Sequence, residues 1–226
     1  MTRLRAWSLA VASLALLSAS CGESANVSVP TQQDLAASLL AAGDLGGEWL
    51  PVPDFPAGIL SDEMRSEFSL PEPCAEADAA AGEAVAGLEW QVGAAFSRGE
   101  VPEEGYVPTL VQLMLVGEPD QIASTFEALR NGFAACAETE QVFEGEGTFR
   151  IEEVPLPNVG DDQIGLRYQQ LDAPADHVHF DMRLMLVRDG AVIMWLNETE
   201  ITLAAEPTVT VEELGNILTA AAENLP

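Results

Sequence analysis

HVHFDMRLMLVRDGAVIMWLNETEITL, residues 177–203, carries the strongest secondary-structure signal of the chain. Apolar and polar residues alternate through 177–188, which is typical of a strand, because successive strand side chains point to opposite faces. The apolar set on one face is Val178, Phe180, Met182, Leu184 and Leu186. Asp189-Gly190 favours a type I′ turn, and residues 191–203 are again apolar enough to form a partner strand. The stretch therefore predicts an antiparallel hairpin.

The segments around this hairpin indicate a mixed helix and strand protein. Strands are predicted at 88–98, 107–116, 142–154 and 163–171, and helices at 31–43, 75–86, 119–136 and 211–224. Thr31 with Asp34, and Thr210 with Glu213, have the spacing of capping boxes at the starts of the first and last helices. Hairpins dominate, and the regular strand–helix–strand alternation of parallel sheets is absent. We therefore expect one α+β domain over residues 31–226: a twisted antiparallel β-sheet with helices packed mainly on one face.

The first 21 residues have the pattern of an export signal. Arg3 and Arg5 precede an apolar run of 12 residues, 6–17, and small residues lead to Cys21. We interpret residues 1–20 as a signal peptide, Cys21 as a lipidated cysteine and residues 21–30 as a tether. The expected location is the outer face of the cell membrane, held by the lipid anchor only. The alternative is a secreted protein with an incidental cysteine near its cleavage site.

Two cysteines remain if Cys21 carries lipid. Cys74 and Cys136 form an even pair in an exported chain, where the compartment permits oxidation, so a disulfide is expected. Closing the long loop between them would stabilise the fold by about 4 kcal/mol on the chain-entropy model. The alternative is a pair of buried free thiols.

The charge is strongly acidic, which bears on possible partners. The chain has 37 Asp and Glu residues against 9 Lys and Arg, a net charge of −28, and every one of the basic residues is Arg. Such a surface repels phosphate backbones, so no nucleic-acid partner is expected. Anionic lipid headgroups would repel it too. The charge serves either solubility alone or the recognition of cationic ligands, divalent ions or a basic envelope protein.

His177, His179 and Asp181 are the sharpest constellation of potential ligands. Residues two apart on a strand share a face, and two imidazoles with a carboxylate can hold a transition metal. The alternative is a solvated strand face, which the neighbouring Arg183 favours. Trp195 is a second candidate, either as part of a ligand cleft or as a core residue. No Gly-x-Ser-x-Gly and no phosphate-binding glycine loop occurs, so neither catalytic residues nor a cofactor are predicted.

Several short motifs recur in the order found in a known family. They are the lipoprotein start, Asp44-Leu45-Gly46-Gly47-Glu48-Trp49, Cys74, Phe133-Ala134-Ala135-Cys136, Gly160-Asp161-Asp162 with Arg167-Tyr168, and residues 187–192. Together they resemble actinobacterial lipoproteins similar to the extracellular sensor domain of PknH-type mycobacterial receptor kinases. The resemblance implies a cleft-bearing α+β domain that binds an undetermined extracellular ligand. One disulfide is possible here, where the kinase sensor has two, and the family has no catalytic residues to transfer.

The leading hypothesis is a lipid-anchored, extracytoplasmic ligand-binding or sensor-like domain without enzymatic activity. The first alternative is an envelope interaction or structural lipoprotein that docks a basic partner. The second is an envelope hydrolase, which should show convergent polar groups in its main cleft.

Overall fold

The computed structural model describes residues 29–46, 48–53, 74–99, 107–137, 139–143, 147–171, 179–202 and 208–226. The predicted signal peptide, Cys21, most of the predicted tether and His177 lie outside these ranges. Within them, none of the helices has the length and hydropathy needed to cross a membrane.

The helices and strands follow the predicted order, with one additional strand at each edge of the sheet. The helices are α1 (Gln32–Ala37), α2 (Cys74–Ala86), α3 (Pro119–Cys136) and α4 (Val211–Glu223), with a 3-10 turn at Ala42–Asp44. The strands are β1 (Trp49–Pro51), β2 (Glu89–Arg98), β3 (Thr109–Val116), β4 (Thr139–Phe143), β5 (Gly147–Glu153), β6 (Asp162–Gln170), β7 (His179–Asp189) and β8 (Val192–Thr202). The short β1 was not predicted. The stretch 142–154, predicted as one strand, contains parts of two, because Phe143 pairs with Gly147 and closes a hairpin.

All eight strands form one sheet in the order β1-β2-β3-β8-β7-β6-β5-β4, with every neighbouring pair antiparallel. The predicted hairpin β7–β8 is confirmed and lies near the centre of the sheet. Its turn is displaced by one residue: Asp189 pairs with Val192, so Gly190 and Ala191 form the loop. Gly190 has φ 51°, a conformation that residues with a Cβ rarely adopt.

Both faces of the sheet are covered by helices. Leu184 and Leu186 of β7 pack in a core with α2 and α3, whereas Met185 and Val187 pack in a second core with α4. Leu35 of α1 packs on the α4 side, against Met114 and Val192. The α+β class, the antiparallel sheet and the single disulfide are confirmed. The helices are divided between the two faces rather than lying mainly on one, because the half of the central hairpin nearest its turn is apolar on both sides.

The disulfide joins the first residue of α2 to the last residue of α3. Cys74 and Cys136 are bonded, with their Cα atoms 5.0 Å apart, and both are buried. The two helices also approach closely at Gly132, where an added Cβ would lie 3.0 Å from the Ala77 carbonyl oxygen. The predicted pairing is therefore confirmed, and it anchors α2 to the helix that packs on the sheet.

Candidate functional site: a buried charge cluster

Four charged side chains meet on the α4 face of the central hairpin. They are Asp181 (6% exposed) and Arg183 (5%) on β7, and Glu198 (0%) and Glu200 (1%) on β8. In the register of the hairpin, Arg183 pairs with Glu198 and Asp181 with Glu200, so all four share one face. We call these four residues the Arg183 cluster. Charged residues are almost never this deeply buried unless they are paired.

Arg183 is the centre of the cluster. Its Nε lies 3.2 Å from Asp181 Oδ1 and 3.2 Å from Glu198 Oε2. Its Nη1 donates a hydrogen bond of 2.6 Å to the backbone carbonyl of Val209, just before α4 begins. Its Nη2 is buried and has no hydrogen-bond partner among the described residues. The guanidinium thus links the sheet to the segment that leads into α4.

Glu200 binds the same segment through its backbone amides. Its two carboxylate oxygens each accept a hydrogen bond of 2.8 Å from the Thr208 amide, and Oε2 also accepts one of 3.3 Å from the Val209 amide. Thr210 then caps α4, because its hydroxyl oxygen accepts from the Glu213 amide at 3.1 Å. Arg183 and Glu200 together bind both the carbonyl and the amides of residues 208–209.

The predicted capping box at Thr210 is only half formed. The carboxylate of Glu213 does not turn back to its own helix end; it lies 3.3 Å from Arg98 Nη1 and 3.4 Å from Trp49 Nε1. Arg98 also donates to the Thr208 carbonyl oxygen at 3.3 Å. A second set of polar contacts therefore ties residue 208 to β2.

A second arginine shares the carboxylate of Asp181. Arg167 on β6 contacts Asp181 Oδ2 through Nε at 2.9 Å and through Nη2 at 2.5 Å, and its Nη1 lies 3.6 Å from Glu152. The hydrogen bonds to Asp181 raise the pKa of Arg167 above its usual value, against the lowering effect of burial. Asp181 is thus shared by two guanidinium groups.

Glu198 is the least satisfied member of the cluster. Both of its carboxylate oxygens are buried without a hydrogen-bond partner in the described part of the chain, although Oε2 is near Arg183. Burial raises the pKa of Glu198 to about 8; the neighbouring Arg183 lowers it, and the negative charges of Glu200, Asp181 and Glu213 add to the rise. At neutral pH this carboxyl group is therefore mostly protonated.

The structure describes only part of the predicted metal site. His177 lies outside the described residues, His179 is the first residue of β7, and the carboxylate of Asp181 is bound by Arg167 and Arg183. The described ranges contain no group of three or more His, Cys, Asp or Glu side chains arranged to hold a metal ion. The metal site stays a prediction. The solvated strand face, its alternative, is wrong for Asp181 and Arg183, because α4 and the segment before it cover that side of β7.

Trp195 lies on the opposite face of the sheet from the Arg183 cluster. It is half-buried beside the core that contains α2 and α3, and its ring meets that of Phe133 edge-on, with centroids 6.5 Å apart. This contact supplies part of the packing expected of a core residue. A role for Trp195 in a ligand cleft stays a prediction.

A small surface pocket lies at the turn end of the central hairpin. Its volume is about 210 Å³, and Pro30, Asp161, Asp189, Gly190 and Pro226 contribute to its walls. Asp161 accepts hydrogen bonds from Arg188 and from the Gly190 amide, at 3.2 and 3.1 Å. Burial raises the pKa of Asp189 above its usual value, with Asp161 adding to the rise and Arg188 opposing it. These contacts brace the β7–β8 turn against the loop before β6.

The Arg183 cluster was not predicted, although the sequence contains its signal. Glu198 and Glu200 have the same two-residue spacing as Asp181 and Arg183. A hairpin register that pairs either glutamate with Asp181 or Arg183 places all four residues on one face. The pattern shows that the four residues share a face, but it does not show whether that face is buried. Only the helix that covers the face turns a polar row into a buried cluster.

Comparison with known proteins gives a fold and no family. No protein-family model matches the chain, and no curated protein matches its sequence. Among solved structures, the chain is similar to the extracellular domain of PknH from Mycobacterium tuberculosis, with a TM-score of 0.56 and 11% identity over 88% of this chain and 97% of that one. An uncharacterised Mycobacterium smegmatis protein, an Rv0999 ortholog, has a TM-score of 0.43 and 15% identity over 86% and 94%. The chain therefore has a fold like that of the PknH extracellular domain.

Proposed function

We infer that the chain is a lipid-anchored, extracytoplasmic ligand-binding or sensor-like domain without enzymatic activity. The observation that carries the extracytoplasmic part is the Cys74–Cys136 disulfide, because structural disulfides persist in oxidising compartments and are rare in the cytosol. The export pattern of residues 1–20 supports the same location. The position of Cys21 directly after this pattern supports the lipid anchor.

The sensor-like part rests on the fold. The chain matches nearly the whole PknH extracellular domain, and the short motifs from residue 44 to residue 192 run in the order of that family. The absence of a nucleophile or phosphate-loop motif from the sequence supports a role in binding rather than catalysis. By this proposal the protein binds a small ligand or an envelope protein at the outer face of the cell membrane.

Metabolic labelling with an alkyne fatty acid tests the anchor. The wild-type chain and the matched control Ser20→Ala should both take up the label and sediment with membranes, because both retain Cys21. Cys21→Ala should do neither. A wild-type chain without label, or a Cys21→Ala chain labelled as strongly as the wild type, would contradict the lipid anchor.

Native mass spectrometry of the detergent-solubilised protein from its own envelope tests ligand binding. A bound small molecule should appear as extra mass that is lost on denaturation. If Trp195 lines the ligand cleft, Trp195→Leu should lose this mass, whereas Val211→Ala, an exposed position across the sheet, should keep it. A wild-type protein without bound mass would count against the small-ligand proposal.

The acidic charge favours one other candidate, a lipoprotein that docks a basic envelope partner. With a net charge of −28, attraction to such a partner should weaken as salt screens it. A partner that co-purifies at low salt and is lost at high salt would support docking. A partner retained at high salt would contradict this electrostatic version of the interaction.

A further inference from the structure

The Arg183 cluster holds three acids and one arginine, and two of the acids have hydrogen bonds. Asp181 is bound by Arg183 and Arg167, Glu200 accepts from the amides of Thr208 and Val209, and Glu198 is the remaining carboxyl group. It is fully buried, and neither of its oxygens has a hydrogen-bond partner among the described residues. Burying a carboxylate without hydrogen bonds is costly even 3.2 Å from the Nε of Arg183, so the group takes up a proton instead.

The surroundings of Glu198 explain why the proton is retained. Burial is the largest cause of its raised pKa of about 8. The ionisable groups that face it are Arg183 and Asp181 on β7, Glu200 on its own strand and Glu213 on α4, with Arg167 of β6 reached through Asp181. From β3, its backbone neighbour Leu110 and the nearby Gln112 carry no charge.

We propose that Glu198 is a proton-binding site whose occupancy controls how firmly the sheet holds residues 208–209 at the start of α4. With the proton bound, the Nη1 of Arg183 is free to donate to the Val209 carbonyl, as observed. Release of the proton creates a carboxylate 3.2 Å from the Nε of Arg183, on a guanidinium whose Nη2 has no hydrogen-bond partner among the described residues. Nε already donates to Asp181, so the ionised Glu198 engages the free Nη2 by turning the guanidinium towards itself, and this turn draws Nη1 away from the Val209 carbonyl.

The hydrogen bonds between Glu200 and this segment weaken when Glu198 ionises. Glu200 binds the amides of Thr208 and Val209, and an ionised Glu198 two residues away on the same face repels its carboxylate. Proton release therefore loosens the carbonyl contact through Arg183 and the amide contacts through Glu200 together. The segment that responds leads directly into α4, the helix that covers this face of the sheet.

The proton site is tested by urea unfolding of the full chain from pH 6 to pH 9. The matched variants are Glu198→Gln, which mimics the protonated group, and Glu153→Gln, an exposed carboxyl on β5. Because the unfolded chain releases this proton near pH 4.5 and the folded chain near pH 8, wild-type stability falls as pH rises between these values. The unfolding constant of the wild type, divided by that of Glu198→Gln, should rise by roughly fiftyfold from pH 6 to pH 8. Release of one proton on unfolding raises the constant by about tenfold per pH unit, and this rise levels off near the folded pKa of about 8.

The Glu153→Gln ratio should stay constant over the same range. A Glu198→Gln ratio that changes by less than about twofold would overturn the proposal. If Glu198→Gln does not fold, infrared spectroscopy of the wild type gives the same information. The carboxylic-acid band of a buried protonated group should persist at pH 7 and disappear as the pH passes 8; its absence at pH 7 would also overturn the proposal.

Hydrogen exchange tests the link to α4. The amides of Thr208 and Val209 should exchange at equal rates in the wild type and in Glu198→Gln at pH 6.5. Above pH 8 they should exchange several-fold faster in the wild type, and comparison at the same pH cancels the chemical rate. Equal rates in the two proteins at every pH would overturn the coupling, because they would mean that ionisation of Glu198 leaves residues 208–209 held as before.

Discussion

Removal of the Cys74–Cys136 bond should lower the free energy of unfolding by about 4 kcal/mol. The two cysteines are 62 residues apart, and the chain-entropy relation gives about 14 cal/mol/K for a loop of that length, or about 4 kcal/mol at 25 °C. Small domains have a total stability of about 5–15 kcal/mol, so this is a large share. The structure concentrates the effect on α2, because the bond anchors the first residue of that helix to the end of α3.

Urea unfolding followed by tryptophan fluorescence measures the change. Reduced wild-type protein isolates the cross-link, since it keeps both sulfur atoms in the buried site. The double variant Cys74→Ala/Cys136→Ala removes the sulfurs as well and should be less stable than the reduced protein. Identical midpoints for oxidised and reduced wild-type protein, with reduction verified by thiol titration, would refute the reasoning. They would mean that the bond does not restrict the unfolded chain as the entropy relation assumes, as residual structure in the unfolded state would produce.

Three further substitutions test local features of the fold. Gly160→Ala should destabilise the protein by more than about 2 kcal/mol in urea unfolding, because Gly160 has φ +63° and an added Cβ would lie 2.6 Å from the Arg188 carbonyl oxygen. The control Gly43→Ala should cost far less, because a Cβ there would meet open space. Equal losses of stability in the two variants would contradict this account. Phe126→Ala should cost about 3–5 kcal/mol by calorimetry, since the ring is buried, and a loss below about 1 kcal/mol would mean that the core closes around the gap. Thr210→Ala should cost about 1 kcal/mol in thermal unfolding through loss of the α4 cap, and an unchanged melting temperature would refute it.

Local sequence signals predicted most helices and strands well. Pro119 marked the start of α3, and the spacing of Ile122, Phe126 and Leu129 predicted the buried side of the helix that ends at Cys136. The capping box of Thr31 and Asp34 is present at the start of α1. These features depend on residues one to four positions apart, so the sequence pattern contains the relevant contacts.

The errors fall where a distant segment decides the outcome. The helix predicted after Thr31 ends at Ala37, and a 3-10 turn follows rather than a continuous helix to Gly43. Leu40 beyond that end is held by the sheet, because its amide donates to the buried Gln112 side chain at 2.8 Å. The side chain of Glu213 likewise leaves its predicted capping role for Arg98 and Trp49. In each case a contact made across the fold outweighs the local preference.

The sequence by itself determined the α+β class, the central hairpin, the disulfide partners and the alternation that places Asp181, Arg183, Glu198 and Glu200 on one side of their strands. Only the tertiary structure decided that this side is buried. A strand pattern records which residues share a face, but the solvation of that face depends on what packs against it, and here the covering helix α4 comes nine residues after β8 in the chain. That covering converts a row of surface charges into a closed cluster with one proton-binding acid.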